Sequence, residues 1–292
     1  MKLLFTLLVF TYSTYSFAQT VDLSKQFKNL KPRAIGPSGM SGRITTIDAL
    51  HKDPNTIYLG AASGGVWKTE NAGNSWTPIF DEQPIQNIGS LAICQSNPSI
   101  VWVGTGEGNP RNSINIGEGI YKSIDAGKTW KCMGLEKTRN IHRVFIDPTN
   151  PNVVYVGAIG NPYGVHSERG VFKTTDGGET WSKVLYTNDT SGVADMIMDP
   201  KNPNKIFAAM WQHSRSPWSL NSGGKGSGLY VTFDGGKNWK KLNGEGGLPT
   251  GDPAPNEAFM AWRKFSQETP TFPTSQIIQG GCAKKPLAPE VL

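Results

Sequence analysis

One eight-residue segment recurs four times in this chain, and nothing else in the sequence narrows the fold as far. The copies are TENAGNSW (69–76), SIDAGKTW (123–130), TTDGGETW (174–181) and TFDGGKNW (232–239). From Trp76 to Trp130, Trp181 and Trp239 the steps are 54, 51 and 58 residues. A second element precedes each copy: DPNTIYLG from Asp53, SNPSIVWVG from Ser96, DPTNPNVVYVG from Asp147 and DPKNPNKIFAA from Asp199. Ahead of that runs an alternating apolar stretch (RITTIDAL, IGSLAICQ, IHRVFIDP, VADMIMDP). A short GVWK, GIYK, GVFK or GLYV leads directly into the box.

Each unit therefore reads as strand A, an Asn/Pro turn, strand B, a variable loop, strand C, the box and strand D. Four short strands per unit, repeated about every fifty residues, predict the blades of a β-propeller. The expected class is all-β, with four recognisable four-stranded blades over 41–250 in an incomplete ring. A fifth strand A is due after Asp252, but the segment that follows has no box and carries six prolines, so 251–292 is expected to be an atypical, disordered tail.

The box has a structural explanation. Its hydroxyl and carboxylate can bond N–H groups inside the C–D turn, its glycine supplies a positive φ, and its Trp folds back as an apolar plug. Asp125, Asp176 and Asp234, with Asn71 in the first copy, are thus expected to be structural, as are Trp76, Trp130, Trp181 and Trp239. Identical residues in every blade serve each blade, whereas an active site needs unlike residues brought together.

At these residues a resemblance can be stated. The boxes are similar to the bacterial neuraminidase repeat, or Asp box. The run IGPSGMSGRITTIDA followed by IYLGAASGGVWKTENAGNSWTPIF most closely resembles the sortilin N-terminal-like domain of large secreted bacterial proteins. The resemblance covers about 30–250 and implies a propeller without implying a defined reaction.

The first residues, MKLLFTLLVFTYSTYSFAQT, read as a secretory signal cleaved after Ala18, which predicts a secreted or periplasmic protein. Residues 19–40 form a lead segment with one possible ring-closing strand. No later stretch is long and apolar enough to span a membrane. The formal charge of +6 comes from scattered cations, which argues against nucleic acid. Three distant cysteines indicate neither a disulfide framework nor a metal site, and no cofactor is expected.

Strands running A to D from the centre outward put the boxes on one face and the B–C and D–A loops on the other. The span from the strand-B aromatic to the box Trp is 18 residues in blade 1 but 28, 26 and 32 in blades 2 to 4. The extra length holds Glu107, Arg111, His166, Glu168, Arg169, Trp211, His213, Arg215 and Trp218, the expected ligand contacts. Arginine can clamp a carboxylate and tryptophan can stack on a sugar, so a peptide, protein or glycan ligand is expected. The alternative is the N-terminal part of a glycoside hydrolase of the sialidase or xyloglucanase-like type. Ala62 and Ser63 stand where a xyloglucanase-type acid would, which weighs against catalysis.

Overall fold

The computed structural model describes residues 43–109, 111 and 113–242. The expected signal (1–18), lead segment (19–40) and tail (251–292) lie outside them. Four antiparallel sheets follow one another along the chain. Blade 1 is β1 (Ile44–Leu50), β2 (Asp53–Ala61), β3 (Val66–Thr69) and β4 (Thr77–Pro78). Blade 2 is β5 (Ile88–Ile93), β6 (Val101–Thr105), β7 (Ile120–Ser123) and β8 (Lys131–Cys132). Blade 3 is β9 (Ile141–Ile146), β10 (Val154–Ala158), β11 (Gly170–Thr174) and β12 (Ser182–Leu185). Blade 4 is β13 (Ser191–Asp199), β14 (Asn202–Arg215), β16 (Gly228–Thr232) and β17 (Lys240–Leu242), with β15 (Leu220–Ser222) pairing on an extension of β14. These are β-propeller blades, in the strand order that the repeat predicts.

The A strands β1, β5, β9 and β13 lie side by side. Side chains join them: Thr45 Oγ1 donates to the Ile88 carbonyl at 2.8 Å, and Ser90 Oγ accepts the Val144 N–H at 3.1 Å. Between β9 and β13, the Arg143 Nε bonds Asp195 at 2.6 Å. The apolar side chains of facing sheets mesh into one core per blade junction. Tyr58, Val66, Phe80, Val101 and Val103 fill the first, Trp102, Ile141, Val156 and Phe172 the second, and Tyr155, Met196, Ile206 and Met210 the third. Enclosing each such residue contributes roughly 1.5–3 kcal/mol before chain entropy is counted.

The box closes as the sequence implies. In blade 2, Ser123 Oγ donates to Asp125 Oδ1 (2.7 Å) and accepts the Gly127 N–H (2.8 Å), while Asp125 Oδ1 accepts the Thr129 N–H (2.8 Å). Blades 3 and 4 repeat the pattern around Asp176 and Asp234. In blade 1 the Asn71 Oδ1 accepts the Ser75 N–H at 2.9 Å, so the amide keeps the acceptor role. The box also binds the Asn/Pro turn of its own blade. The N–H groups of Ala72, Ala126, Gly177 and Gly235 donate to the carbonyls of Asn55, Ser99, Asn152 and Asn204. That contact explains why the two sequence elements recur together.

The box tryptophans do more than plug their own turns. Each indole is half-buried, and Trp130, Trp181 and Trp239 pack on the junction with the preceding blade. Trp130 Nε1 donates to the Ile79 carbonyl and Trp181 Nε1 to that of Met133, both at 2.7 Å.

Hydrogen bonds from the box hold Asp125 and Asp234 down to about 2, and Asp176 lower still. The Thr129 side chain is the first cause for Asp125, the Thr180 side chain for Asp176, and the Asn238 N–H for Asp234. A depressed carboxyl stabilises the fold above its free value of 3.8, and that contribution is lost as pH falls through about 2. The melting temperature should therefore fall between these pH values. Asp176→Asn combined with Asp234→Asn should flatten that limb; a limb of unchanged steepness would show that other groups carry it.

Candidate functional site

Antiparallel strands deliver the B–C loops and D–A connections to one end of the blades, opposite the boxes. Hydrogen bonds knit the loops there into a crown. Asn115 Nδ2 of blade 2 donates to Ser63 Oγ of blade 1 at 2.7 Å. The Tyr163 hydroxyl of blade 3 accepts the Ile114 N–H (3.1 Å) and bonds the Arg111 carbonyl (3.2 Å). The Arg215 N–H of blade 4 donates to the Pro162 carbonyl at 2.7 Å.

Within the crown a cleft of about 590 Å³ opens between blades 2 and 3. Its walls are Ile116 to Glu118 from the B–C loop of blade 2, Glu136, Lys137 and Arg139 from the connection between the blades, and His166 to Glu168 from the loop of blade 3. The connection begins as a 3-10 turn, Glu136–Thr138. It ends with Arg139 at φ 66° and ψ −55°, the centre of a γ-turn closed by the Asn140 N–H on the Thr138 carbonyl at 2.7 Å. This conformation is strained for a non-glycine residue. The Arg139 carbonyl is held in turn by the Gly117 N–H. The cleft thus offers carboxylates, an ammonium, a guanidinium and an imidazole from unlike loops. Burial, then the charges of Arg169 and Arg139, lower the His166 pKa.

Of the expected ligand contacts, His166 and Glu168 line the cleft, and Glu168 pairs with Lys183 at 3.5 Å. Arg111 is exposed on the blade 2 loop. Trp218 projects from the turn between β14 and β15 with 87% of its surface exposed. Half-buried Trp211 stacks on His213 with centroids 4.3 Å apart and donates Nε1 to Ser222 Oγ. Arg215 sits beside them on β14, partly buried.

Three residues depart from the expectation, because they are enclosed and cannot meet a ligand in this conformation. Glu107 is fully buried, with both carboxylate oxygens on Arg43. Arg169 is fully buried, donating to the carbonyls of Thr190, Asn161 and Gly164. Burial pulls its pKa down to about 10. His213 is buried beneath Trp211, and burial together with Arg169 pulls it to about 4. These side chains fix the crown from inside.

Loop length pointed to the B–C segments and passed over the short connection carrying Glu136, Lys137 and Arg139. The available signal was the run EKTR directly ahead of strand A of blade 3. Among the described residues no group of three or more His, Cys, Asp or Glu side chains is arranged to hold a metal ion, and no helix is long and apolar enough to cross a membrane.

A family model described as sortilin, neurotensin receptor 3 (Sortilin-Vps10) matches residues 118–246. The xyloglucanase Xgh74A of Acetivibrio thermocellus is 26% identical over 227 residues, covering 66% of this chain and 25% of that protein. A xyloglucanase of Hypocrea jecorina is 28% identical over 249 residues, covering 76% and 28%. The solved GH74 xyloglucanase of Xanthomonas campestris superposes with a TM-score of 0.51 at 16% identity, over 70% of this chain and 30% of that one. An ancestral GH74 enzyme gives a TM-score of 0.51 at 19% identity, over 70% and 24%. The chain thus spans about a quarter of the length of the curated relatives it matches.

Proposed function

We propose that this sortilin-like β-propeller is a secreted or periplasmic binding module that takes a glycan across its loop crown. The observation that carries the reading is the cleft between blades 2 and 3, where carboxylates and cations from three unlike segments face one space. Such groups accept from and donate to sugar hydroxyls. The exposed indole of Trp218, on a hairpin tied to the blade 3 loop, adds a face on which a pyranose ring can stack. The similarity to xyloglucanases favours xyloglucan over a peptide.

The test is calorimetry and affinity electrophoresis of the chain lacking its signal, with xyloglucan oligosaccharides and a glycan array. Arg139→Ala with Trp218→Ala should weaken binding about tenfold or more, because a few anchoring side chains dominate such surfaces. Both residues are exposed, so the melting temperature should hold. Undiminished affinity in the folded double variant would defeat the site assignment.

One observation favours a second reading, a piece of a glycoside hydrolase. Glu118, Glu136 and Glu168 all line the same cleft, and glycoside hydrolysis needs two carboxylates flanking one bond. Release of reducing sugar from xyloglucan, lost in Glu118→Gln or Glu168→Gln, would favour it over simple binding.

A further inference from the structure

Each main-chain carbonyl from 137 to 140, in the connection that walls the cleft, accepts a hydrogen bond. The Lys137 carbonyl is held by the His166 ring and that of Thr138 by the Asn140 N–H at 2.7 Å. The Arg139 carbonyl takes the Gly117 N–H of blade 2 at 2.6 Å, and that of Asn140 takes the N–H groups of Ile159 (3.0 Å) and Gly160 (3.3 Å) in blade 3. The connection needs such holding. Among the described residues four non-glycine positions have positive φ; Ala72 and Ala126 sit in boxes, and Leu135 and Arg139 flank this one turn. Of the donors that hold it, only the His166 ring can change its charge.

His166 joins three segments. Its main-chain N–H donates to the Asp189 carbonyl at 2.9 Å, in the connection to blade 4. Its Nδ1 accepts the Asn161 N–H of its own loop at 3.4 Å. With Nδ1 an acceptor, the ring proton is on Nε2, which donates to the Lys137 carbonyl across the cleft. Both nitrogens are thus engaged by the protein, and the neutral imidazole, with one donor and one acceptor, fits the pair. Protonation breaks the fit. It sets an N–H against the Asn161 N–H, and a Cβ on Gly160 would stand only 3.1 Å from that nitrogen, so the ring has little room on that side. It also sets a half-buried cation between the charges of Arg169, from β11, and Arg139, from the connection. Glu168 is the anion that acts on the ring, and it is shared with Lys183 at 3.5 Å. Lys137, Glu136 and Glu118 lie along the other wall, and the Asp189 carboxylate is taken by the Tyr186 hydroxyl. The stronger bond that a cation would make to the Lys137 carbonyl is outweighed, as the lowered pKa of the ring indicates.

We infer that His166 is a proton-operated latch on the cleft: neutral, its ring ties the blade 3 loop (161–168) to the Lys137–Arg139 wall, and protonated, it drops Asn161 and frees that loop. The loop also fastens the crown on both sides, through Tyr163 to blade 2 and through the Pro162 carbonyl to Arg215 of blade 4. The sign follows from the preference for the neutral ring. The latch is closed above 6.5 and opens as pH falls toward its own, lower midpoint. A freed loop carries Ser167 and Glu168 away from the opposite wall, so a glycan held between the walls is released in acid. That last consequence rests on the glycan reading above; the opening of the latch does not.

Amide exchange and an NMR titration of the ligand-free chain test the latch directly. An opening that takes up one proton gains about tenfold in population per pH unit between 6.5, the ordinary histidine value, and the latch's own midpoint. Protection of the Asn161 amide, corrected for the pH dependence of intrinsic exchange, should fall on that slope while the amides of β10 keep theirs. The slope should level off at the midpoint read from the His166 ring resonances. In His166→Gln, whose amide offers a donor and an acceptor but does not titrate, the slope should vanish. An equal slope in His166→Gln, or a His166 titration with no loss of Asn161 protection, would overturn the latch. Should His166→Gln not fold, a wild-type slope that does not level off at the ring's midpoint overturns it as well. Affinity for xyloglucan oligosaccharides is the second arm. It should fall through the same window in the wild type and stay level in His166→Gln; a level wild-type affinity would overturn the regulation. Absence of binding at every pH would defeat the glycan reading instead, and the exchange result would still decide the latch.

Discussion

Replacing Gly89 with alanine is expected to cost the propeller about 3 kcal/mol or more, a large share of a typical domain's stability. Gly89 lies in β5, the inner strand of blade 2. An added Cβ would stand 2.1 Å from both the Gly106 and the Ile141 carbonyl oxygens. Neither obstacle is the end of a flexible side chain. One belongs to the loop leaving β6 and the other to β9 of the next blade, so relief requires blade 3 to move away from blade 2. The φ of Gly89 is not in the left-handed region, so the cost is one of space alone. Gly164 is the control, because the nearest atom to its Cβ is 3.9 Å away, on Asn161 Nδ2. Denaturant titration should give a much lower midpoint for Gly89→Ala and an unchanged one for Gly164→Ala. Equal midpoints would mean that the blades can separate at little cost.

That glycine illustrates where a sequence of this kind is legible. The box, the Asn/Pro turn and the alternation of strand A each involve residues close in the chain, so period and composition expose them. Local chemistry was enough to recognise Asp125, Asp176 and Asp234 as turn formers. The junctions were less legible because each is built from residues far apart in the chain, such as Tyr155 and Gly235, 80 residues apart. Tyr155 and Gly235, or Gly104 and Ile141, form pairs only once the blades stand side by side. The same limit applied at the crown. Loop length located the segments that carry His166 and Glu168, but length cannot tell which polar side chain turns inward. Glu107 and Arg169 read as ligand contacts because charged residues on long loops are usually solvated. Each is instead enclosed with its own partners, Arg43 in one case and three carbonyls in the other.

Arg169 leads to the second large effect. Its guanidinium ties the blade 3 loop, through Asn161 and Gly164, to Thr190 in the connection to blade 4. Asp189 acts on it only through space. Arg169→Met keeps much of the apolar stem but leaves the Asn161 and Gly164 carbonyls without donors, while the Thr190 carbonyl retains the His213 N–H. At roughly 1–3 kcal/mol for each stranded group, less the desolvation no longer spent on the buried cation, the net loss should be about 3 kcal/mol. Lysine should not rescue it, because one ammonium cannot span the same three acceptors in the guanidinium's planar fork.

Two readouts separate this role from generic destabilisation. Amide exchange at 161–167 should rise more than exchange in β10 and β11, which Arg169 does not bridge. The titration of His213 should also move. Burial is the larger cause of its depression to about 4 and the Arg169 charge the second, so removing the charge should raise the value part of the way toward 6.5. The sign carries into stability. Neutral His213 suits the fold, so its contribution is full above 6.5 and is lost as pH falls toward about 4 in the wild type. With the cation gone that window should narrow from its acid end, and the variant, though less stable at pH 7, should lose less on acidification to pH 5. A His213 titration that stays at its wild-type value, with exchange rising uniformly across blade 3, would mean that Arg169 fills space in the crown without fixing its loops.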